Sequence, residues 1–357
     1  MPHPALQSFR EDTGAPAEGN RRGQKRAVEW LMLKHFVFAR EDEPGQAWLS
    51  RFAAGRQESE QWYLGTRGTG VPSGTECRSA LLSHMPELVP HYDWVCALVG
   101  DDERAQQILS HYRPPPEFSG CSQAVWLGDG GPALVRNYDF ALDVVSARFE
   151  LTSWAGGKVI AKAQRPWGGC LDGMNQDGLV TSCTFGGSPA TGGGFSVILM
   201  QRYILETCRD VKEAIAALIR IPIAQSQNIT LLDRSGAHAT LFLGPERAPA
   251  VTTARVCTNH QESVVWPAHA ASSQTRARYD TLACRLAEPN MTLQRLVEYL
   301  LLPPLYSRRA ASPTVYTALY RPAQGEVDYL WPGKRWHQSL DWFVPGEYTH
   351  DYGGLIL

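Results

Sequence analysis

The 357-residue sequence has no long apolar run, no strong excess of one charge and no closely paired cysteines. No apolar stretch approaches the 18 or more residues that cross a membrane. With 34 basic and 36 acidic residues, the chain offers little electrostatic attraction to a nucleic acid or a membrane surface. We therefore expect neither of these as a partner.

Metal and cofactor motifs are missing as well. The eight cysteines are scattered without a C-x-x-C pair, which favours free thiols over a zinc site or a disulfide framework. There is no G-x-x-x-x-G-K loop, and no G-x-G-x-x-G follows a predicted strand, so no nucleotide or coenzyme is expected. The first 20 residues lack the apolar core of a secretory signal. We expect a cytoplasmic protein without a metal or cofactor.

Composition divides the chain into three parts. Residues 1–20, rich in proline, glycine and charge, predict a disordered lead-in. Residues 21–120 are predicted to be mainly helical. An apolar-periodic run over residues 30–38 indicates an amphipathic helix within residues 21–56, and buried helical faces recur over residues 75–111.

The third part, residues 121–357, alternates between strands and helices. A glycine-rich turn at 128–131 lies between two short apolar runs and indicates a hairpin, as does the turn at 175–178. Further strands, helices and strands follow. This order predicts a layered α+β domain in which helices sandwich the sheets.

The candidate active centre is Cys121 at the start of the first hairpin. If the bond after Gly120 is cut, Cys121 gains a free α-amine with a pKa near 7.7 to 8, which can accept the thiol proton. Glycine before the cysteine tolerates the strained backbone that self-cleavage needs. The alternative is a buried structural cysteine, which is the interpretation we give to the other seven.

Two charged residues follow Cys121 on the second strand of the hairpin. Arg136 and Asp139 would point to opposite faces of a regular strand unless it ends or bulges between them. Asp139 could hold the α-ammonium group, and Arg136 could bind a substrate carboxylate or balance Asp139. The alternative is an ordinary surface pair.

Four segments in chain order carry a resemblance to a known superfamily. They are Gly-Cys at 120–121, Arg-Asn-x-Asp-Phe at 136–140, Gly-Met-Asn-x-x-Gly-Leu at 173–179 and Cys-Thr-Asn-His at 257–260. Together they resemble the N-terminal-nucleophile hydrolases of the choloylglycine hydrolase and isopenicillin-N acyltransferase superfamily, and the acyltransferase branch more closely. The resemblance implies an αββα sandwich, a helical pro-segment, self-cleavage into chains that stay associated, and attack on a linear amide or an acyl thioester.

The resemblance also implies roles for individual residues. Cys121 is the expected nucleophile and, through its amine, the base, with Arg136 and Asp139 as the charged pair beside it. Asn259 is expected to donate a hydrogen bond to the oxyanion, a contribution worth about 3 kcal/mol.

Other positions are less directly matched. The second oxyanion donor is expected to be a backbone N–H near Thr184 or Phe185, and Asn175 is expected to form a turn, because asparagine tolerates the left-handed conformation. The family's late arginine is assigned to one of three candidates. They are Arg276, which we choose, Arg278 and Arg321. Aromatic side chains near the nucleophile are candidates for an acyl pocket. They are Trp126, Trp154 and Trp167.

Several functions remain open from the sequence. We favour hydrolysis of a small linear amide, such as an N-acyl amine or N-acyl amino acid, through a Cys121 thioester. Acyl transfer to an amine would use the same residues. A papain-like arrangement of Cys121 with His260 is less well supported, because Asn259 and His260 are adjacent and would face opposite ways on a strand. A non-catalytic binding protein is a further alternative, and a homo-oligomer is possible for any of them.

Overall fold

The computed structural model describes residues 33–64, 70–164 and 168–355. These residues form fifteen β-strands and nine α-helices. The strands of the first half are β1 (Leu33–Glu41), β2 (Gly120–Trp126), β3 (Ala133–Asp139), β4 (Arg148–Thr152), β5 (Val159–Ala163), β6 (Cys170–Asn175) and β7 (Val180–Phe185). Those of the second half are β8 (Gln227–Leu232), β9 (His238–Leu243), β10 (Ala250–Thr252), β11 (Val256–Cys257), β12 (Thr314–Arg321), β13 (Glu326–Trp331), β14 (Lys334–Ser339) and β15 (Gly346–Asp351).

The helices fall into one N-terminal group and two later groups. The first group is α1 (Gln46–Leu64), α2 (Gly74–His84), α3 (Val89–Leu98) and α4 (Glu103–Leu109). The later ones are α5 (Val197–Thr207), α6 (Val211–Arg220), α7 (Pro267–Ser273), α8 (Thr275–Leu286) and α9 (Leu293–Leu300). Several begin at side-chain caps of the usual kind. Ser73 forms a capping box with Glu76 at the start of α2, and Asp210 accepts a hydrogen bond from the Glu213 amide at the start of α6.

The strands form two sheets that pack face to face. One has nine strands in the order β10-β9-β8-β7-β6-β5-β4-β1-β15, and the other has six in the order β11-β2-β3-β12-β13-β14. Gln123 of β2 bridges them, because its amide donates to Thr230 of β8 and accepts from Ser182 of β7. These buried hydrogen bonds fix the register of one sheet on the other.

Helices cover both outer faces. Leu205 of α5 packs on Val159 and Ala161 of the nine-stranded sheet. Leu282 of α8 and Leu300 of α9 pack on the outer face of the six-stranded sheet. This arrangement confirms the predicted α+β class and the αββα layering.

The prediction of a helix within residues 21–56 is wrong for Leu33–Glu41, because these residues form strand β1. Phe36 and Phe38 alternate with less buried neighbours and pack on Trp331 and Trp336, at ring distances of 5.0 and 4.2 Å. A period of two marks a strand. Strand β1 pairs antiparallel with β15 and parallel with β4, so the nine-stranded sheet includes a strand from the predicted pro-segment.

Other predictions agree with the described residues. The hairpin β2–β3 is antiparallel and places Cys121 opposite Tyr138, and the pairs β4–β5 and β6–β7 form as expected. Helices α1 to α4 occupy residues 46–109, within the segment predicted to be mainly helical. The lead-in of residues 1–20 lies outside the described residues. Strands β14 and β15 were not predicted.

Lys162 is a charged group buried inside the sandwich. Its Nζ donates to the carbonyl oxygens of Ser146 and Ala163, at 2.7 Å for the latter. Burial lowers the pKa of Lys162 to about 7, against the opposing attraction of Asp172. An unfolded lysine keeps its proton up to a pKa near 10.4, so between pH 7 and 10 the unfolded state binds more protons. Stability therefore rises with pH in this window.

We expect Lys162→Met to remove this dependence. The wild-type side chain adds up to about 1.4 kcal/mol of stability per pH unit between pH 7 and 10, and methionine adds none. Urea unfolding at pH 7, 8 and 9 measures the slope of the unfolding free energy against pH. All proteins compared carry Cys121→Ala, so that each is one covalent chain. Lys158→Met is the control, because Lys158 is partly exposed beside β5. Equal slopes for Lys162→Met and Lys158→Met would contradict the expectation.

Candidate active site

Cys121 lies at the second position of β2 with its side chain between the two sheets. The residue is 1% exposed. Arg136 Nη2 donates to its Sγ at 3.4 Å, and Ser119 Oγ lies 3.8 Å from the same sulfur. Burial raises the pKa of the thiol, whereas the guanidinium of Arg136 lowers it. The uncut chain therefore holds a protonated thiol beside a cation that would stabilise its thiolate.

Asp172 holds Arg136 in place, and sequence reasoning missed it. Arg136 Nη1 forms a fully buried ion pair with Asp172 Oδ2 at 2.7 Å and donates to the Leu171 carbonyl at 2.8 Å. The hydroxyl groups of Tyr316 and Tyr320 also donate to Asp172. Burial disfavours the charge of Arg136, yet its anionic surroundings keep its pKa well above the ordinary value. The only signal in the sequence was a carboxylate directly before the Gly-Met-Asn motif.

Arg136 and Asp139 point to opposite faces of β3, as strand geometry requires. Asp139 Oδ1 accepts from Thr314 Oγ1 at 2.6 Å, and its Oδ2 lies 3.5 Å from Arg278. Burial raises the pKa of Asp139, opposed by the attraction of Arg278. Both residues are buried, so the alternative of a surface ion pair is wrong.

Asn259 meets the backbone of Cys121 directly. Its Oδ1 accepts from the Cys121 N–H at 2.9 Å, and its Nδ2 donates to the Phe185 carbonyl at 3.3 Å. In the intact chain the backbone nitrogen of Cys121 is thus held by Asn259, and the role of Asp139 toward an α-ammonium group stays a prediction. The Asn259 N–H donates to Thr275 Oγ1 at 2.7 Å, which ties the Thr-Asn-His segment to the start of α8.

The late arginine at this site is Arg278. Its Nη2 donates to Asn259 Oδ1 at 2.6 Å, and its Nη1 donates to the Cys121 carbonyl and to Ser122 Oγ, at 2.7 Å for the hydroxyl. Burial lowers the pKa of Arg278, and Asp139 opposes that shift.

Our choice of Arg276 is therefore corrected. Arg276 is exposed. Both arginines lie on α8, where residues two apart point roughly 200° from each other, so only one can face Cys121. Arg321 pairs with Glu326 and Asp328 within β12 and β13.

His260 does not contact the thiol. Its Nδ1 lies 3.2 Å from Thr258 Oγ1 and 3.0 Å from Thr275 Oγ1, and its ring packs edge-on against Tyr279 at 5.2 Å. Burial lowers its pKa. These contacts describe a histidine that holds the Thr-Asn-His turn in shape, and they disfavour the Cys–His arrangement.

A family model matches residues 126–336, which is more than half of the chain. Its description is acyl-coenzyme A:6-aminopenicillanic acid acyl-transferase. The chain belongs to this family. The match confirms the predicted acyltransferase branch, and with it the prediction of an enzyme that acts on acyl groups.

Similar solved structures are distant from this family member in sequence. Penicillin V acylase from Agrobacterium tumefaciens is 14% identical with a TM-score of 0.43, over 65% of this chain and 91% of its own. An N-acylethanolamine-hydrolyzing acid amidase ortholog from Caenorhabditis elegans is 14% identical with a TM-score of 0.45, over 64% and 99%. A mutant conjugated bile acid hydrolase from Clostridium perfringens is 11% identical with a TM-score of 0.40, over 65% and 97%. The comparison with curated proteins gives no significant match.

Asn175 forms the turn between β6 and β7 in this acyl-transferase family member. Its Oδ1 accepts from the amides of Asp177 and Leu179, and its Nδ2 donates to the carbonyl of Cys208 at 2.7 Å. Gly178 completes the turn with a φ of +79°. Asn175 thus forms the turn as predicted, but it does so through side-chain hydrogen bonds, and the left-handed conformation belongs to Gly178.

The tryptophan candidates do not gather around the thiol. Trp126 packs with the helix layer of the six-stranded sheet, on the face of β2 opposite the Cys121 side chain. Trp154 stacks on His91 at 4.7 Å and lies under Arg202. Trp167 lies outside the described residues.

A pocket of about 50 Å³ lies near Cys121, and Ser119, whose Oγ is 3.8 Å from the thiol, is one of its lining residues. Among the residues that line it are Ser119, Tyr138, Leu171, Cys183, Phe195 and Ile198. Pro114, Pro115, Glu117 and Ser119, in the segment just before Cys121, form one side of it. Phe118 in this segment packs against Phe185 and Trp266, at 5.1 Å from each ring.

The described residues offer neither a metal cluster nor a membrane-spanning helix. In the described ranges, no group of three His, Cys, Asp or Glu side chains could hold a metal ion. No described helix has the length and apolar character needed to span a membrane.

Proposed function

We propose that this protein is an autoproteolytically activated cysteine amidohydrolase that cleaves a small linear amide through a Cys121 thioester. One observation carries the proposal. The thiol of Cys121 meets Arg136, its backbone nitrogen meets Asn259, and its carbonyl meets Arg278, so three buried polar side chains converge on one residue. A structural cysteine needs none of these contacts.

Self-cleavage is the first step of the proposed mechanism. Cys121 Sγ attacks the Gly120 carbonyl carbon, the Gly120–Cys121 C–N bond breaks, and the freed nitrogen takes up a proton. Water then hydrolyses the resulting thioester and leaves a carboxylate on Gly120. The new α-amine remains within reach of Asn259 Oδ1, which now accepts from the Cys121 amide.

Substrate turnover would reuse the same atoms. The neutral α-amine takes the thiol proton, and the thiolate, held by Arg136, attacks the amide carbonyl. The α-ammonium then protonates the departing amine as the C–N bond breaks, leaving an acyl thioester on Cys121. Water, deprotonated by the α-amine, hydrolyses this thioester. Arg278 keeps Asn259 Oδ1 turned toward itself, so Nδ2 is the atom available to the oxyanion.

The contacts just before Cys121 in the uncut chain favour a substrate whose acyl group is apolar. In self-cleavage the acyl part of the scissile bond is the segment ending at Gly120, and its Phe118 packs against Phe185 and Trp266. When that segment withdraws, the aromatic surface it covered becomes available. We infer that the acyl end of the substrate binds there, because burial of apolar surface is favourable for any acyl chain of similar size.

The two products of cleavage should remain together. The N-terminal piece supplies β1, which is hydrogen-bonded on both sides to strands of the C-terminal piece. It also supplies Trp48, Phe52, Leu81 and Val95 to the main core. Separation would expose these side chains and break two strand ladders.

Acyl transfer is the second candidate. The matching family is named for transfer of an acyl group from coenzyme A to an amine. An amine would then replace water in the second half of the reaction. Hydrolysis is favoured here because water is always present as an acceptor.

A covalent trapping experiment tests the proposed reaction. Processed protein is incubated with N-acyl amines and N-acyl amino acids of increasing acyl length, quenched in acid, and its fragments are weighed by mass spectrometry. We expect a transient acyl adduct on the fragment that begins at Cys121, and a rate that rises with pH as the α-amine loses its proton near pH 8 or somewhat below. Cys183→Ala is the control, because Cys183 is a buried thiol lining the same pocket.

Three outcomes would count against the proposal. An adduct on another residue would assign the chemistry elsewhere. Release of acyl groups only when an amine is added would favour the transferase. Turnover that persists in Cys121→Ala would exclude a Cys121 thioester.

A further inference from the structure

The segment before the scissile bond is held by a side chain that acts like a neighbouring strand. Gln225 Nε2 donates to the Glu117 carbonyl at 2.9 Å, and Gln225 Oε1 accepts from the Glu117 N–H at 3.2 Å. One side-chain amide thus binds both the N–H and the C=O of a single residue, as a paired antiparallel strand does. This contact depends on the peptide backbone of the bound segment and not on its side chains.

Gln225 is held in place independently of the segment that it binds. It is 9% exposed and lies just before β8. Its backbone forms an antiparallel bridge with Thr191, and the carbonyl of the next residue, Ser226, accepts from the Gly186 N–H at 2.9 Å. All of these residues belong to the C-terminal piece. A cut after Gly120 therefore leaves the Gln225 amide in position to bind a peptide.

An aromatic surface binds the next residue of the same segment. The ring of Phe118 packs against Phe185 and Trp266, at 5.1 Å from each ring. The Phe185 carbonyl accepts from Asn259 Nδ2 at 3.3 Å, so this surface adjoins the proposed oxyanion donor. The backbone contact and the aromatic contact together fit a short peptide with an aromatic side chain.

The segment is also tethered upstream of both contacts. The Arg113 N–H donates to the carbonyl of Gly194 at 2.6 Å, which joins the N-terminal piece to the C-terminal piece. Residues 114–116 are three prolines, whose fixed φ angles leave the segment little freedom to lose on binding. After the cut, residues 117–120 therefore stay near the site, at an effective concentration on the order of millimolar.

We propose that Gln225, Phe185 and Trp266 form a peptide-binding site, and that after the cut this site keeps residues 117–120 as an intramolecular ligand. The ligand class is a short extended peptide with an aromatic side chain two residues before its C-terminal residue. The bound segment covers the surface that the acyl end of the substrate needs, so the two compete. This inference rests on the proposed function for the cut after Gly120.

Hydrogen exchange on the processed wild type measures whether the segment stays bound. The three prolines have no N–H, so amide exchange in residues 114–120 reports on residues 117–120 alone. We expect these amides to exchange at least about tenfold more slowly in the wild type than in processed Gln225→Ala, which lacks both hydrogen-bonding atoms. Gln324→Ala is the matched control, because Gln324 is an exposed glutamine between β12 and β13, and it should leave the exchange unchanged.

Kinetics measure the competition with substrate. Phe118→Ala weakens the bound segment without altering the surface that receives the acyl group. Per processed chain, we expect it to lower the KM for a long-chain N-acyl amide about tenfold and to leave kcat unchanged. Leu82→Ala is the control, because Leu82 is another exposed apolar side chain of the N-terminal piece, at 53% exposure. A merely structural role of Phe118 would not lower KM.

An added peptide tests the same site from outside. We expect an acetylated peptide with the sequence of residues 115–120 to inhibit processed Phe118→Ala competitively. The same peptide with alanine in place of its phenylalanine should inhibit about tenfold more weakly, because it cannot cover the aromatic surface.

The outcomes separate this inference from the proposed reaction. Equal exchange in the wild type and Gln225→Ala, a KM that Phe118→Ala does not lower, or equal inhibition by the two peptides would overturn the peptide site. An active amidase with unprotected amides at residues 117–120 would overturn the site alone. A processed protein with protected amides that cleaves no amide substrate would overturn the reaction alone, and a wild type that is never cut would overturn both.

Discussion

We expect the Cys121→Ala variant to remain a single chain of 39.5 kDa, while the wild type is recovered as two pieces, residues 1–120 and residues 121–357. The physical reason is that the sulfur of Cys121 is the proposed nucleophile for its own amide bond. Alanine fills the buried position with no group that can attack a carbonyl. Intact-mass spectrometry and N-terminal sequencing measure the outcome, and the expected effect is complete loss of the cut.

Cys183→Ala is the matched control for this variant. Cys183 is a second buried thiol next to the same pocket, and its pKa is also raised by burial. It should be processed like the wild type. Cleavage of Cys121→Ala at the Gly120 bond would show that an external protease makes the cut, and cleavage at a different bond in both proteins would remove the basis for the N-terminal nucleophile.

Short-range sequence patterns were sufficient to predict the elements at the centre of the fold. The hairpin that carries Cys121 and Arg136 is specified by adjacent apolar runs and a glycine turn, and its two strands pair with each other along their whole length. The turn at Asn175 is similar, because the side chain bonds to amides two and four residues along the chain. Local signals and final contacts coincide at these places, so the sequence predicts them well.

Strand β1 shows where such patterns fail. Phe36 and Phe38 fit an apolar face in a helix as well as in a strand, since a short apolar run does not distinguish the two periods. What decides the matter is a partner more than 300 residues away, because β1 completes the sheet between β4 and β15. No sequence pattern near residue 36 indicates that partner.

Prediction of the arginine at the site depended on the position of a single helix boundary. Arg276 and Arg278 are equally plausible until the start of α8 at Thr275 is known, and that start is tied to Asn259 by a tertiary hydrogen bond. Asp172 was missed for a related reason. Its partners Tyr316 and Tyr320 come from β12, far along the chain, and only the packing of the two sheets brings them together.

The second large effect we expect is on catalysis by Asn259. Asn259→Ala should lower turnover of a good amide by about a hundredfold or more, the usual loss when one oxyanion donor is removed. His260→Ala should cost much less, because the contacts of His260 are with Thr258 and Thr275 and not with the thiol. The two residues are neighbours on one turn, so they form a matched pair for comparing a reacting group with a supporting one.

The measurement must separate turnover from maturation. Asn259 also accepts from the Cys121 amide in the uncut chain, so its loss can slow self-cleavage as well. Turnover is therefore expressed per processed chain, with the processed fraction taken from the mass spectrum, and thermal unfolding is compared for both variants. A structural role alone would lower the unfolding temperature of Asn259→Ala and leave its turnover per processed chain near the wild-type value. A larger loss of turnover in His260→Ala than in Asn259→Ala would favour the Cys–His mechanism over the proposed one.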